Sequence, residues 1–244
     1  MSAVIFISGK DNLNQLNMKN SLLIALVMTV ILPVRAQKII EKHFDFSSNG
    51  FVSMNFQISD SIRIITWAKN EVYLKSTIDV NDNKNNDDYK MTFNSSGTTL
   101  NITAKLETDG RGCGGGNDSS GKKKGNWCCC SCESIIYHEI YIPENTDFSV
   151  ETINGNIIIS GKTAEIRAHS ISGFIDLAVA PGRAAELTMK TITGTMYSNF
   201  ELTSTSRRIK QVGGGSVSAE LNGGGGKPIE LQTISGNIFF RKEG

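Results

Sequence analysis

A six-residue pattern, Thr/Ser-Ile-x-Gly-x-Ile, occurs four times in the second half of this chain and constrains its fold more than any other feature. The copies read TINGNI, SISGFI, TITGTM and TISGNI, and their glycines are Gly155, Gly173, Gly194 and Gly236. Successive glycines are 18, 21 and 42 residues apart, and the double interval places a degenerate copy at Gly215. A repeat of this length is typical of solenoids, in which one structural unit stacks on copies of itself.

Apolar and polar residues alternate around each glycine, which predicts two short strands joined by a turn. The apolar positions lie seven, five and two residues before the glycine and two and four residues after it. Glycine suits such turns because it accepts positive φ angles. We expect the isoleucines two residues before the glycines to face the core: Ile153, Ile171, Ile192 and Ile234.

Two architectures could carry these strands. In a parallel β-solenoid, equivalent strands stack about 4.8 Å apart, whereas in an antiparallel meander each glycine turn would form a hairpin. The columns of like residues favour the solenoid, because stacked isoleucines form a continuous core. The sequence therefore predicts an all-β fold, a single-stranded parallel β-solenoid (β-helix) with coils of about 20 residues, preceded by a signal-peptide helix.

The first apolar segment predicts export. Met18 and Lys19 precede an apolar stretch of 14 residues, Ser21–Val34, and the small residue Ala36 follows it. This order is typical of a cleaved signal peptide, whereas a membrane span needs about 20 apolar residues. We expect cleavage before Gln37, with residues 1–17 as an upstream extension and an uncleaved anchor as the alternative. The mature chain would have no transmembrane span and would lie in the periplasm, on the outer-membrane surface or outside the cell.

Charge gives no reason to expect a polyanionic partner. Removal of residues 1–36 takes away three of the 25 basic residues and one of the 24 acidic residues, so the mature chain is nearly neutral. A nearly neutral chain has no general attraction for nucleic acid. We therefore expect no nucleic-acid partner.

The predicted mature chain has three parts. Residues 37–108 alternate less regularly and form either degenerate coils or a cap, with Phe51–Ile58 and Ser61–Trp67 as two of their strands. Residues 109–133 form a loop insert rich in cysteine, glycine and lysine. Residues 134–244 form the repeat solenoid.

The insert holds all the cysteines of the chain: Cys113, Cys128, Cys129, Cys130 and Cys132. Thiols of an exported protein oxidise, so we expect disulfides between Cys113 and the cluster, with one thiol left over. Thiolates could instead hold a soft metal ion, but the spacing is not the CxxC…CxxC pattern of a structural zinc site. Lys122–Lys124 beside Trp127 are interpreted as a solvated loop and not as a nucleic-acid patch.

No constellation of residues predicts catalysis. The three histidines, His43, His138 and His169, are far apart in the sequence, and we expect them at the surface or in the cap. A polysaccharide-active β-helix would need paired carboxylates on adjacent coils. The positions four residues before the glycines are chemically mixed instead: Glu151, His169, Lys190, Gln211 and Gln232. The sequence thus predicts a protein that is not an enzyme, with no cofactor and no catalytic or metal-binding residue.

The segments Tyr141–Asn145 and Val150–Ile157 resemble the bacterial putative-adhesin family of unknown function. Domains of that family have an IPxN strand followed by repeated SG-x-I turns, and the head domain of autotransporter-like adhesins has a similar rhythm. The resemblance covers residues 135–244 well and 38–108 loosely, and the insert and the glycine-rich fourth copy depart from it. It implies a β-solenoid exported to the cell envelope, with no cofactor and no known catalytic residue.

The leading hypothesis is a non-enzymatic envelope or surface protein that mediates binding or adhesion through its polar strand faces. Its ligand would be an unknown surface protein or glycan. One alternative is an envelope scaffold or stress component that binds a protein partner through the cysteine-rich insert. The other is a polysaccharide-active β-helix enzyme.

Overall fold

The computed structural model describes residues 37–107, 133–209 and 214–244, and Gln37–Gly244 forms one compact unit. The predicted signal peptide and the five cysteines lie outside these ranges. The all-β prediction is confirmed, because the described residues form a short 3-10 helix, Asn86–Asp88, and 15 strands. The strands are β1 (Lys38–Asp45), β2 (Phe51–Trp67), β3 (Glu71–Val80), β4 (Tyr89–Ser96), β5 (Thr99–Leu106), β6 (Ser134–Pro143), β7 (Asp147–Ser160), β8 (Ile166–Ser172), β9 (Ile175–Val179), β10 (Ala185–Thr193), β11 (Met196–Ser198), β12 (Thr203–Ile209), β13 (Gly215–Leu221), β14 (Ile229–Ser235) and β15 (Ile238–Lys242). Within the described ranges, no helix is long and apolar enough to cross a membrane.

The strands form one mixed sheet, which the turns divide into two halves. The leading half contains the strands that precede the glycine turns and the strands that pair beside them, in the order β4-β5-β2-β7-β8-β14-β10-β13-β12. The trailing half contains the strands that follow the glycine turns and the strands that pair beside them, in the order β1-β3-β6-β2-β7-β9-β15-β11. Strands β2 and β7 are long enough to belong to both halves. The middle of each half is parallel. Antiparallel strands close both ends of the leading half (β4, β12 and β13) and one end of the trailing half (β1 and β3), whereas β11 at the other end pairs in parallel.

The N-terminal region supplies both a full coil and antiparallel end strands. Strand β2 pairs in parallel with β7 along both halves, and its register shifts between Ile58 and Ser61, next to the turn at Gly155. The two strands predicted over residues 51–67 are therefore one strand with an irregularity at the turn. Strands β5 and β6 pair with the two halves of β2, so residues 107–133 connect a leading strand to a trailing strand.

The prediction of a single-stranded parallel β-solenoid is corrected in two respects. Strand β14 lies between β8 and β10, so the last repeat precedes the third in the stack. Strand β13 runs antiparallel to β10 and pairs Gly215 with Thr191, so Gly215 begins a strand instead of joining two strands. The fourth copy has Arg208 and Lys210 where the others have apolar residues. Its strand β12 lies at the edge of the sheet, where a polar strand is tolerated.

Like residues stack into buried columns inside the sheet. One column of the leading half crosses seven strands in register: Leu100, Val52, Phe148, Ile166, Ile229, Leu187 and Ala219. A column of the trailing half consists of isoleucines: Ile62, Ile157, Ile175 and Ile238. Burial of each large apolar side chain contributes about 1.5–3 kcal/mol, so these columns supply the main stabilisation.

The isoleucines two residues before the glycines face solvent, contrary to the sequence-based prediction. They are 38–47% exposed: Ile153, Ile171, Ile192 and Ile234. The cause is strand alternation. Side chains seven and five residues before the glycine point inward, so the side chain three residues before it also points inward and the isoleucine two residues before it points outward. That inward position holds a buried hydroxyl in each copy: Thr152, Ser170, Thr191 and Thr233.

These buried hydroxyls connect each coil to the turn of its neighbour. Three of them donate hydrogen bonds of 3.1–3.2 Å to turn carbonyls: Ser170 to Gly155, Thr233 to Gly173 and Thr191 to Gly236. In the described part of the chain, the Thr152 hydroxyl and the neighbouring Ser59 hydroxyl are buried without a partner. The hydroxyl at this position is therefore bonded in three coils and unbonded in the first.

The turn glycines form a second column, the glycine column, in the stack order Gly155, Gly173, Gly236, Gly194. A Cβ atom added to Gly173 would lie 2.1 Å from the Gly155 carbonyl oxygen, and one added to Gly194 would lie 1.9 Å from that of Gly236. Gly173 also has a φ of 140°, which L-residues rarely adopt. A side chain at these turns would therefore push neighbouring coils apart.

Gly173→Ala is expected to lower the free energy of unfolding by about 3 kcal/mol, because it adds backbone strain to a collision with a carbonyl. Urea unfolding followed by circular dichroism measures the change. Gly182→Ala is the matched control, since a Cβ there has no atom within 4 Å and is expected to change stability by less than about 0.5 kcal/mol. Equal effects of the two variants would contradict the steric account of the glycine column.

Thr233→Val and Thr152→Val are expected to change stability in opposite directions. Thr233→Val leaves the Gly173 carbonyl without its donor and should cost about 1–2 kcal/mol. Thr152→Val removes a buried hydroxyl that has no partner, so it should be neutral or stabilising. Urea midpoints of the two isosteric variants make the comparison, and a larger loss for Thr152→Val would refute the assigned bonding.

Candidate ligand-binding face

The outward surface of β1, β3, β6 and β2 in the trailing half carries contiguous aromatic and charged side chains, and we call it the aromatic face. Strand β3 shows why the sequence builds it. Its even-numbered residues, such as Val72 and Leu74, are fully buried, so alternation turns Tyr73, Lys75 and Thr77 outward. Strands β1 and β6 alternate in the same way and lie on either side of β3.

A continuous row of rings crosses the aromatic face. His43, Tyr73 and Tyr141 occupy paired positions on β1, β3 and β6. Ring centroids are 4.6 Å apart for His43 and Tyr73, 5.9 Å for Tyr73 and Tyr141, and 5.1 Å for Tyr141 and Trp67. Trp67 is fixed by a 2.8 Å hydrogen bond from its Nε1 to the Glu71 carbonyl oxygen. The Trp67 centroid is also 6.3 Å from that of Tyr73, so Trp67 lies beside both tyrosines and the four strands hold four contiguous rings.

A row of charges with alternating sign runs beside the rings. Its members are paired across the same four strands: Glu41, Lys75, Glu139 and Arg63. The Lys75 ammonium lies 3.6 Å from the Glu41 carboxylate, and both side chains are largely solvated. Exposed pairs of this kind contribute little to stability. Their donors and acceptors therefore remain open to a ligand at small energetic cost.

Hydrogen bonds and pKa shifts link the two rows. The Tyr141 hydroxyl donates a 2.8 Å hydrogen bond to the Glu139 carboxylate, and this bond, together with partial burial, raises the pKa of Tyr141. Partial burial and the Glu41 charge raise the pKa of Tyr73. Both phenols are therefore protonated at neutral pH and can donate or accept hydrogen bonds.

A cleft of about 300 Å³ lies on the aromatic face, next to the charged row. It is lined by residues of β2, β3 and β6: Ser61, Arg63, Lys75, Thr77, Tyr137, His138 and Glu139. Half of the Tyr137 side chain is exposed at this cleft. The cleft has the size at which binding pockets for small molecules begin, and it offers both charged and hydroxyl groups.

A smaller pocket of about 200 Å³ lies on the outward surface of the leading half. It includes three of the residues four positions before a glycine, Glu151, His169 and Gln232, which pair across β7, β8 and β14. The structure therefore gathers part of the polar column noted in the sequence. Among the described residues, no group of three or more His, Cys, Asp or Glu side chains is placed to hold a metal ion.

His138 lies in the core, which corrects the prediction of a surface or cap histidine. It is 2% exposed, its ring stacks on Phe56 at 4.2 Å, and its nitrogens lie 2.8 Å from the Ser76 hydroxyl and 2.9 Å from the Tyr89 hydroxyl. Tyr89 in turn donates to the Ile58 carbonyl oxygen at 3.3 Å. Burial lowers the pKa of His138 to about 3 and raises that of Tyr89. This hydrogen-bonded chain joins β3, β6 and β2 from the inside, directly beneath the aromatic face.

The predicted site residues have separate locations. The glycines Gly155, Gly173, Gly194 and Gly236 lie together in the glycine column, and Gly215 lies at the start of β13. The disulfide candidates Cys113, Cys128, Cys129, Cys130 and Cys132 lie outside the described residues, so their pairing stays a prediction. Sequence reasoning missed the aromatic face, although the alternation Val72-Tyr73-Leu74-Lys75 pointed to an exposed tyrosine and lysine on one side of a strand.

Comparison with known proteins identifies no family. No family model matches the chain, and no curated protein matches it. Three solved structures are similar in part. A "putative cell adhesion protein" from Clostridium sporogenes is 12% identical with a TM-score of 0.48, covering 84% of this chain and 100% of that one. A "putative adhesin" from Bacteroides fragilis is 12% identical with a TM-score of 0.30, covering 86% and 99%. A "putative lipid binding protein" from Parabacteroides distasonis is 11% identical with a TM-score of 0.24, covering 85% and 97%. With scores and identities this low, none of them assigns a family or a function to this chain.

His138 is expected to make stability fall as the pH is lowered from about 6.5, the pKa of an unfolded histidine, towards the folded value of about 3. In that window the unfolded chain takes up a proton that the folded chain does not, so this group contributes a slope of up to about 1.4 kcal/mol per pH unit. Above this window its contribution is constant. Urea unfolding at several pH values tests this, with His138→Gln expected to reduce the slope. A slope unaltered by His138→Gln would contradict the assignment.

Proposed function

We propose that this chain is a non-enzymatic, exported protein of the cell envelope or cell surface that binds a surface ligand through the aromatic face, in the manner of an adhesin. The observation that carries the proposal is the contiguous row of four rings beside a row of alternating charges on rigid, paired strands. Rigid aromatic side chains give a large contact area at low entropic cost, and the adjacent polar groups supply specificity.

Export is supported by the sequence and by the boundary of the fold. The basic start, the apolar stretch and Ala36 predict a signal peptide, and the compact unit begins at Gln37. Cleavage before Gln37 would therefore leave β1, which starts at Lys38, intact. The short resemblance to the putative-adhesin family agrees with an envelope location and with repeated parallel coils in the middle of the stack.

The non-enzymatic part of the proposal is supported by the location of the only Ser-His-Tyr chain that the described residues form. His138 and Tyr89 are almost fully buried, so a substrate has no access to them. Their hydrogen bonds join strands of the core, which is a structural role. A protein partner at the cysteine-rich insert, residues 109–133, stays the alternative, and it is separable because the four strands that define the aromatic face lie outside the insert in the sequence.

The test is retention of the fluorescently labelled protein on three surfaces, namely bacterial envelopes, mucin and extracellular-matrix protein. The double variant Tyr73→Ala/Tyr141→Ala is expected to reduce retention at least tenfold on the surface that wild type binds. Tyr197→Ala is the matched control, because Tyr197 is a tyrosine with 49% exposure that lies on β11, at the opposite end of the trailing half. Unchanged retention of the double variant, or loss only after deletion of residues 109–133, would overturn the proposal in favour of the insert.

A further inference from the structure

We propose that the ligand of the aromatic face is an uncharged glycan chain, with sugar rings lying against Tyr73 and Tyr141, beside Trp67, and hydroxyl groups bonded by the charged row. This inference rests on the proposed function and names the ligand class of that same face. Three features of the face carry it: the shape of the ring row, the balance of its charges, and the closeness of the rings to the charges.

The ring row suits a ligand made of repeated flat, weakly apolar units. Aromatic faces carry negative potential, so they attract the polarised C–H groups on the face of a pyranose ring. The centroids of Tyr73, Tyr141 and Trp67 lie 5.1–6.3 Å from one another, so the three rings form one contiguous aromatic platform. The platform continues through His43, which pairs with Tyr73 across β1 and β3, and we call the four rings together the track.

The charges beside the row favour an uncharged ligand. Glu41 and Glu139 alternate with Lys75 and Arg63, so the row carries two charges of each sign. A polyanion would meet two carboxylates for every two cations and gain no net attraction, whereas nucleic acid and acidic polysaccharide sites need a basic patch. A sugar hydroxyl both donates and accepts, so neighbouring hydroxyls can bond a carboxylate and a guanidinium at the same time.

The closeness of the two rows disfavours a protein ligand. The centre of a protein–protein interface is depleted of lysine, glutamate and aspartate. On the aromatic face, a charged row lies directly beside the rings and even bonds them, since Tyr141 donates to Glu139. Mixed aromatic and charged groups of this kind match a ligand whose every unit has an apolar face and a polar edge.

The underlying strands make the track rigid before any ligand arrives. Leu74 and Ile140 are fully buried between the outward residues of β3 and β6, and the His138 chain bonds these strands to each other and to β2 from below. Little conformational freedom is therefore lost on binding. Lys69, whose ammonium lies 4.4 Å from the Trp67 ring centroid, covers this end of the row.

The experiment is titration of the protein with neutral hexasaccharides (cellohexaose, xylohexaose and chitohexaose) and with two acidic polymers, polygalacturonate and heparin. Trp67 fluorescence reports occupancy of the track in a Trp127→Phe variant, which leaves it as the remaining tryptophan of the two. We expect saturable binding of at least one neutral hexasaccharide, with an affinity that stays within about twofold when NaCl is raised from about 0.05 to about 0.5 M.

Variants locate the binding. Tyr141→Ala is expected to weaken the neutral hexasaccharide at least tenfold, Tyr141→Phe at most threefold because it keeps the ring, and Tyr197→Ala not at all. Each variant is checked by circular dichroism, and the phenylalanine variant keeps the test valid if Tyr141→Ala fails to fold. Binding of only the acidic polymers, with strong salt dependence, would overturn the inference. So would binding that Tyr141→Ala leaves intact.

The two proposals fail separately. If no hexasaccharide binds while Tyr73→Ala/Tyr141→Ala still abolishes retention on mucin or matrix protein, the glycan inference is overturned and the binding function stands. If the double variant retains full surface binding, the binding function of this face is overturned, and the glycan inference falls with it.

Discussion

The contact between a turn glycine and the coil beside it is the constraint on which the middle of the fold depends. Each coil in the parallel stack has a glycine carbonyl that contacts the next coil. The next coil donates a hydrogen bond to it from a buried hydroxyl and places a glycine against it, as Ser170 and Gly173 do towards Gly155. Because Thr233 and Thr191 make the same contact with Gly173 and Gly236, every coil has the same two surfaces. Coils with identical surfaces need not stack in chain order, and this explains how the last repeat can lie between the second and the third.

The sequence predicted the elements of this architecture better than their arrangement. Alternation located nearly every strand of the repeats, and the turn at Gly173 was visible because its pattern recurs. The same pattern misplaced the isoleucines, because a threonine such as Thr233 is less apolar than Ile234 and still takes the inward position that alternation assigns to it. The pattern could not predict the order of the coils in the stack, because coils with equivalent sequences do not indicate which of them are neighbours. The antiparallel return of β13 depends on pairing of Gly215 with Thr191, which no local motif encodes.

The aromatic face could not be predicted from the sequence for a different reason. His43, Tyr73 and Tyr141 are separated by dozens of residues and by the insert, and they meet only because β1 pairs with β3 and β3 with β6. None of these strands carries the glycine repeat, so the repeat does not predict their pairing. The regular part of the molecule thus supplies a rigid core, while the irregular N-terminal strands, which lack the constraint of the glycine column, display the chemically diverse side chains.

The position of β14 has a consequence for how the chain reaches its native state. A ribosome delivers β14, Ile229–Ser235, after β8 and β10, yet β14 fills the slot between these two strands. A nascent or translocating chain therefore cannot add its coils one after another in chain order, because the second and third repeats become neighbours of the same strand only when β14 arrives. Such late, long-range closure slows folding. Until β14 arrives, β8 and β10 each have an unpaired edge in the middle of the sheet, and unpaired edges favour aggregation.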